Sequence, residues 1–553
     1  MLFGFSLVAV IVLLSTASPT SADTGDESSN PGDGQTIDQP VAEISLTLSG
    51  APEAAEPDPL RSVERMRMLT KPKSATVAVV VTLAIVVALV AAIAVMRAGD
   101  TALAAPGYVE PVLPTGEVHE HRLVAAPTLG VLSDEVETDL WTYNGTTPGP
   151  EIRISHGDTI RVILENNLPE PTSIHWHGIR VPHPMDGVPG LTQAPVASGE
   201  TFVYEFTPPD AGTYWYHSHQ RGNEQLARGL YGAIVVEDPT EPEYPVDAVW
   251  LVDDWLIDES GMLDPDFDSY EDIHHSGRWG NLLTINGTPK TTLDVSPGQR
   301  IRLRIVNTAN ARVIKPDFDG LDPVVIAMDG LPVAEPFLVT DIDLAPGNRM
   351  DVDITIPPDA EQDFVIGDRF SSSEPVELGR ISATGEPVDT PKFAPPAQEM
   401  PDWSGLIDEA PQHSITISFA SEFADATSKE REAMLASEQY GEFLWTLNGR
   451  VWPDAETLTA NQGELQKIRI VNESGQMHPM HLHGQFFQLI SRNDEPVNET
   501  HYRDTVLLTA FQTIEIVVAP YDVGTWLFHC HIQLHAEYGM AMLYDVSPDT
   551  RTS

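Results

Sequence analysis

Three segments of this 553-residue chain repeat one pattern, and that repeat limits the fold more than any other feature. The first runs Tyr143-Asn144-Gly145, then Gly157-Asp158, then Arg161-Val162-Ile163-Leu164-Glu165-Asn166. The second runs Ile285-Asn286-Gly287, then Gly298-Gln299, then Arg302-Leu303-Arg304-Ile305-Val306-Asn307. The third runs Leu447-Asn448-Gly449, then Gly463-Glu464, then Lys467-Ile468-Arg469-Ile470-Val471-Asn472. In each, Asn-Gly marks a tight turn, and the second Gly precedes an alternating, β-branched run that ends in Asn: turn, then strand. The copies recur at intervals of 142 and 162 residues, the length of a compact β-sandwich domain. An all-β chain is expected, with tandem domains over residues 107–240, 241–400 and 401–550.

The chemistry concentrates around the single cysteine, Cys530, in the run His529-Cys530-His531-Ile532-Gln533-Leu534-His535-Ala536-Glu537-Tyr538-Gly539-Met540. With one cysteine there is no disulfide framework. Cys530 and His535, with a distant His and a long thioether contact from Met540, would make a His2Cys trigonal copper site. If the segment is a strand, His529 and His531 face the other way, because successive side chains alternate. They are then free to hold a different metal, one residue of backbone away. Three further clusters supply ligands: His175-Trp176-His177-Gly178, His217-Ser218-His219 and His478-Pro479-Met480-His481-Leu482-His483-Gly484. A lone H-x-H pair is ordinarily a surface accident or a satisfied core pair. Four clusters, holding ten of the eighteen histidines with the only Cys in the last, are not.

A second repeat links the outer domains. Gly212-Thr213-Tyr214-Trp215-Tyr216-His217-Ser218-His219 parallels Gly524-Thr525-Trp526-Leu527-Phe528-His529-Cys530-His531. Likewise, the H-x-H-G of His175–Gly178 parallels that of His481–Gly484, at spacings of 42 and 48 residues from the second pair. Domains one and three facing each other would offer eight imidazoles, enough for three coppers. Ser218 stands where Cys530 stands, so only domain three keeps the thiolate site. Domain two has no such pair and reads as a spacer that shapes the substrate face.

These four segments resemble the copper-binding motifs of the multicopper oxidases, the family of laccases, ascorbate oxidase and the spore-coat and periplasmic copper oxidases. The likeness extends to Asp186-Gly187 and Gly229-Leu230 and covers roughly residues 115 to 547. It implies three tandem cupredoxin-like Greek-key β-sandwiches and four copper ions: one type 1, one type 2 and a type 3 pair. By resemblance, the type 1 ion takes His478, Cys530 and His535, with Met540 axial. The type 2 ion takes His175 and His481, and the type 3 pair takes His177, His217, His219, His483, His529 and His531. An axial Met implies a type 1 potential in the lower or middle part of the family's range. Electrons would enter near His478 or His535 at the surface and pass through the Cys530 sulfur to His529 and His531. Four of them reduce dioxygen to water. Asp186 falls where the family carries an acid beside the type 2 site, implying a proton relay. Many bacterial members carry Glu directly after the last type 1 His. Here that residue is Ala536, and the acid moves to Glu537, which a strand or turn would point elsewhere. Glu537 is kept as a second candidate relay.

The resemblance implies oxidation of phenols or aromatic amines with dioxygen as acceptor. Oxidation of Cu(I), Fe(II) or Mn(II) is the alternative, although the fourteen Met are scattered and form no Met-rich insertion. A non-enzymatic copper-binding or structural protein of the same fold would have lost ligands, and all twelve are present. A copper nitrite reductase would be a two-domain chain without the H-C-H pattern. Four further histidines come in pairs, His119 with His121 and His274 with His275, and read as exposed loop residues.

The net charge of −51 excludes nucleic acid as a partner, since phosphate binding needs the opposite sign. A dense acidic surface reads as salt adaptation or a solubilising shell. Absence of disulfides favours a bacterial or archaeal source. Residues 1–74 form a signal-like, acidic segment that is expected to be disordered from 23 to 60. Ala75 to Met96 is a 22-residue uncharged apolar run, long enough to cross a bilayer, and a transmembrane anchor is expected over 75–97. Arg61, Arg65, Arg67, Lys71 and Lys73 precede it and only Arg97 closely follows. The positive-inside rule then puts the oxidase outside the membrane, at a prokaryotic cell surface or on the periplasmic side. Ala102-Leu103-Ala104 resembles a cleavage site, but the apolar run is longer than a usual signal core. A second apolar stretch, Leu2 to Leu14, would reverse that orientation if cleaved as a signal. Translation starting at Met66 or Met68 reconciles the two.

Overall fold

The computed structural model describes residues 113–133, 136–401, 403–421 and 443–549. The predicted disordered segment and membrane anchor lie outside them. Among the described residues, no helix is long and apolar enough to cross a membrane.

The all-β expectation holds. Six sheets pack as three pairs, one pair per copy of the repeat. In each copy, the strand that ends in the repeated Asn pairs in parallel with the strand before the hairpin strand that leads into the Asn-Gly turn. Thr159–Asn166 lies along Val118–Ser133, Arg300–Asn307 along Val246–Trp255 and Gln466–Asn472 along His413–Ser421. Parallel neighbours need a crossover, which the intervening second sheet supplies.

The repeated asparagines explain why the pattern persists. Asn144, Asn286 and Asn448 adopt φ of 58°, 52° and 54°, and each is followed by a Gly at φ of 82°, 72° or 70°. Two successive left-handed residues define a type I′ hairpin turn, which Asn-Gly tolerates best. Each turn Asn also ties back to the parallel strand, its Oδ1 accepting from the N–H of Val124, Leu251 or Thr416 at 2.7–2.9 Å. At the strand ends, Asn166, Asn307 and Asn472 are buried. Each donates twice from Nδ2 to loop carbonyls at 2.8 Å. Each Oδ1 accepts from the amide two residues on. A buried amide must satisfy both ends, and no other side chain offers two donors and an acceptor in that shape.

Three apolar cores follow. One centres on Leu164, Trp176 and Tyr216, one on Ile305, Met350 and Ile366, and one on Trp445, Ile470, Cys530 and Met540. Three short helices position functional groups: α1 (Gly222–Gln225), α2 (Tyr270–His274) and α3 (Gln533–Glu537). Two expectations need correction. His119 and His121 lie on the long strand Val118–Ser133, not in a loop, and His119 Nε2 pairs with Asp158 Oδ2 at 2.8 Å. His274 closes α2, with His275 as its C-cap.

Candidate metal centres

Strand alternation splits the Cys530 run as the sequence requires. Cys530 faces the apolar core of the last third, and its sulfur lies 3.9 Å from His478 Nδ1 and 3.6 Å from His535 Nδ1. The two Nδ1 atoms are 3.1 Å apart. Their outer nitrogens are occupied: His478 Nε2–H donates to Ser474 Oγ at 2.8 Å and His535 Nε2–H to the His275 carbonyl at 3.0 Å. Each ring is thereby held in the tautomer that turns a lone pair inward, the usual arrangement around a bound metal. Burial keeps both rings neutral, with His535 lowered to about 3 and His478 well below its ordinary value. Burial pushes the Cys530 thiol up, so only a cation in contact with the sulfur favours the thiolate. Met540 is fully buried, and its carbonyl accepts from the Cys530 N–H at 3.1 Å.

The expectation that His478 or His535 reaches the surface is wrong. Both are 0% exposed. The loop after α2 covers His535 through the His275 carbonyl, and Trp445 lies 4.4 Å from the His535 ring and 4.8 Å from the His478 ring.

On the opposite face of the strand, eight imidazoles converge between the first and last thirds. His175 pairs across the sheet with His217 and His481 with His529, so the two halves are equivalent by register. Three groups result. His219, His483 and His529 bring ligand atoms within 4.8 Å of one another. The rings of His177, His217 and His531 lie 4.9–5.9 Å apart. His175 and His481 face each other at 5.8 Å.

The hydrogen bonds of these rings show what they lack. His175 Nδ1–H donates to the Asp186 carbonyl at 2.8 Å, His217 Nδ1–H to the Ser218 carbonyl at 2.9 Å and His481 Nδ1–H to the Asp504 carbonyl at 2.9 Å. His529 Nδ1–H donates to the Cys530 carbonyl at 2.8 Å and His483 Nδ1–H to Asp186 Oδ2 at 2.9 Å. The inner nitrogens of His175, His177, His217, His219, His481 and His531 are buried without a hydrogen-bond partner. Burial and neighbouring imidazoles hold His177, His217, His483, His529 and His531 well below their ordinary pKa and His219 at about 3. Unpartnered lone pairs aimed at one another inside a protein are costly. A cation suited to imidazole removes that cost, and the neighbouring Cys530 sulfur selects copper among the candidates.

Both acids singled out in the sequence approach the cluster. Asp186 is 1% exposed and touches both His483 and His175, the latter also through Oδ1 at 3.3 Å. The next residue must be glycine: Gly187 has φ of 82°, and a Cβ there would fall 1.8 Å from the Ile174 carbonyl. Glu537 overturns the expectation drawn from Ala536. The segment after His531 is neither strand nor turn but helix α3, where residues four apart share a face. Gln533 and Glu537 therefore line one cavity of about 290 Å³ together with His219 and His529. Glu537 Oε1 accepts from the Asn223 N–H at 3.0 Å, and burial outweighs that bond, raising its carboxyl to about 7.

Sequence reasoning missed the contribution of the middle third, which is more than a spacer. Its loop caps His535, a Cβ on its Gly347 would lie 2.7 Å from His177, and its Arg349 meets Asp504 beside His177. Asp504 carried no signal, since it lies outside every recognised motif in a chain with 82 acidic residues.

A buried cysteine–dihistidine site joined by single residues to an eight-imidazole cluster, on tandem β-sandwiches, defines a multicentre copper oxidoreductase. Three family models, each described as multicopper oxidase, match residues 128–241, 247–385 and 425–550. The multicopper oxidase MmcO of Mycobacterium tuberculosis is 30% identical over 436 residues, spanning 73% of this chain and 82% of its own. Laccase-1 of Botryotinia fuckeliana is 29% identical over 450 residues, spanning 74% and 79%. A solved Campylobacter jejuni multicopper oxidase, described as a metallo-oxidase, superposes with a TM-score of 0.65 at 25% identity, over 79% of this chain and 94% of that one. The chain belongs to the multicopper oxidase family and is an oxidoreductase that uses dioxygen as acceptor.

Proposed function

We propose that this protein is a laccase-like oxidase that couples four one-electron oxidations of a phenol or aromatic amine to the reduction of dioxygen to two waters. The observation that carries the reading is the Cys530 junction. Its sulfur belongs to one site, while the residues on either side, His529 and His531, belong to the other. His478, Cys530, His535 and Met540 would hold a type 1 ion, and His175 and His481 a type 2 ion. His177, His217 and His531, with His219, His483 and His529, would hold the type 3 pair. Bound copper supplies one-electron acceptance at the thiolate site and storage of four electrons at the cluster.

The chain's own residues do the rest. The Cys530 carbonyl, bonded to His529 Nδ1–H at 2.8 Å, gives a hydrogen-bonded path alongside the covalent one. Glu537, in the cavity beside His219 and His529, is suited to hand protons inward near neutral pH. Asp186 orients His483 and His175 and is the second relay candidate.

A metal-ion donor is the second reading, favoured by one observation. Both thiolate-site imidazoles are sealed, with their outer nitrogens already bonded to Ser474 and the His275 carbonyl, so no phenol hydroxyl can bond to either without displacing a loop. Residues 75–97 as an anchor, with the oxidase extracytoplasmic, complete the proposal. The test is oxygen uptake and visible absorption of copper-loaded full chain beside Cys530→Ser, with a phenol, Cu(I), Fe(II) and Mn(II) as donors. Loss of the blue colour and of phenol-driven uptake together is expected. Uptake that survives the substitution overturns the electron path, and preference for a metal ion selects the second reading.

A further inference from the structure

We infer that Arg349, from the middle third of the chain, is a positioning residue for the imidazole cluster, acting through Asp504 on His177 and His481. The inference rests on the copper reading above and assigns a part to a residue outside every motif. His177 is the exception among the eight rings: its free buried nitrogen is Nδ1, whereas it is Nε2 in His175, His217, His219, His481 and His531. Asp504 is the cause. Its Oδ1 lies 3.2 Å from His177 Nε2, so that nitrogen carries the proton and Nδ1 is left to face the cluster. The neighbouring Thr505 hydroxyl donates to the same Oδ1 at 2.8 Å, and its oxygen lies 3.1 Å from His481 Nδ1. With the Asp504 carbonyl also on His481 Nδ1, two consecutive residues fix two rings that stack at 3.8 Å and belong to different groups.

Asp504 is held in turn by Arg349, whose Nη1 lies 2.9 Å from Oδ1 and 2.7 Å from Oδ2. The guanidinium cannot swing. It is fully buried, and its remaining donors go to the carbonyls of Thr213 at 3.2 Å, Gly347 at 3.1 Å and Asp329 at 2.7 Å. One side chain thus ties the first, middle and last thirds at the point where His177 is oriented. The rigid fork of arginine meets these acceptors together, and the single ammonium of lysine does not. The hydrogen bonds of the pair reach His177 and His481 and not the thiolate-site residues His478, Cys530 and His535, so its effect falls on the cluster.

The test compares Arg349→Lys and Arg349→Gln with the parent as copper-loaded full chain, read by copper content, visible absorption and electron paramagnetic resonance. Both variants should keep the blue absorption. Arg349→Lys should alter the type 2 resonance, and Arg349→Gln should weaken cluster copper binding by ~10–100-fold, the usual effect of removing an outer support of a metal ligand. Unchanged cluster signals in both variants overturn the inference, and if Arg349→Gln does not fold, unchanged signals in Arg349→Lys do so alone. Blue and cluster signals lost in equal proportion also overturn it, since a general structural role predicts that result. A parent that takes up copper without blue colour refutes the copper reading instead.

Discussion

Replacing Glu537 by Gln tests whether the cavity beside His219 and His529 holds a proton donor near neutral pH. Its carboxyl rises from 4.5 to about 7 in the folded chain, chiefly through burial, with the nearby Asp268 charge adding to the effect. That difference corresponds to ~3 kcal/mol in favour of the neutral acid. The sign follows from linkage. Below pH 4.5 the group is protonated folded and unfolded, and its contribution to stability is fully present. As pH rises through 7 the unfolded chain gains by ionising and the contribution is lost. Gln is neutral throughout and accepts the same Asn223 N–H. In the metal-free full chain, urea unfolding should therefore give similar stabilities for parent and Glu537→Gln near pH 4. The variant should be up to ~3 kcal/mol more stable near pH 8. The copper-loaded variant should reduce dioxygen ~100-fold or more slowly, the ordinary effect of losing a general acid. Stability curves that run parallel from pH 4 to pH 8 would refute the buried, neutral carboxyl, and an unchanged rate would refute its part in proton delivery.

Two further outcomes follow from the packing around the thiolate site. Gly277 has φ of 77°, and a Cβ there would lie 2.5 Å from Ile532 Cγ2 and 2.8 Å from Ala311 Cβ. Gly277→Ala should cost ~1–3 kcal/mol and lift the loop that caps His535, raising kcat/KM for a bulky phenol relative to a metal ion. An equal change for both donors would count against the lid. Asn472→Ala takes one donor from each of the Gln476 and Thr509 carbonyls and the acceptor from the Ser474 N–H, and should cost ~3 kcal/mol by chemical denaturation. Because Ser474 bridges Asn472 to His478, it should also shift the blue absorption. Asn166→Ala should cost as much without that shift, and a matching shift would show that the link through Ser474 is not the cause.

What could be read from the sequence is what residue type alone decides. Two successive left-handed residues require something close to Asn-Gly, so Asn144, Asn286 and Asn448 announce their turns. Copper favours His, Cys and Met, and the clustering of ten histidines in four short runs, together with the family resemblance, singled out the twelve candidates before any fold was known. What could not be read depends on contacts between distant residues. Arg349 and Asp504 meet across 155 positions, and nothing in either local sequence differs from a surface charge. The burial of His535 comes in part from a loop near residue 275 that only the folded chain brings over it, and Trp445 covers both His535 and His478. Glu537 was misjudged because α3 spans five residues, too few for an apolar periodicity to separate helix from turn.

The two outer thirds also show how equivalent positions of one scaffold differ in what they offer a metal. Register equates His175 with His481 and His217 with His529. By the same offsets Thr172 occupies the place of His478 and Ser218 that of Cys530. In the first third these positions are joined by hydrogen bonds: Ser218 Oγ and Thr172 Oγ1 both donate to Gln225 Oε1, at 2.5 and 2.8 Å. The Gln225 amide in turn donates to Glu170 Oε1 and the Pro171 carbonyl. Every polar atom is satisfied internally, and no soft ligand or unpartnered lone pair is left for a metal. The Cys530 side is the reverse, with two inward lone pairs and a sulfur that needs a cation. The same β-sandwich scaffold thus carries a self-sufficient hydrogen-bond network at one end and, at the other, a set of donors that only a metal completes. On the proposed copper reading, that asymmetry would leave the Cys530 side as the one route for electrons into the imidazole cluster.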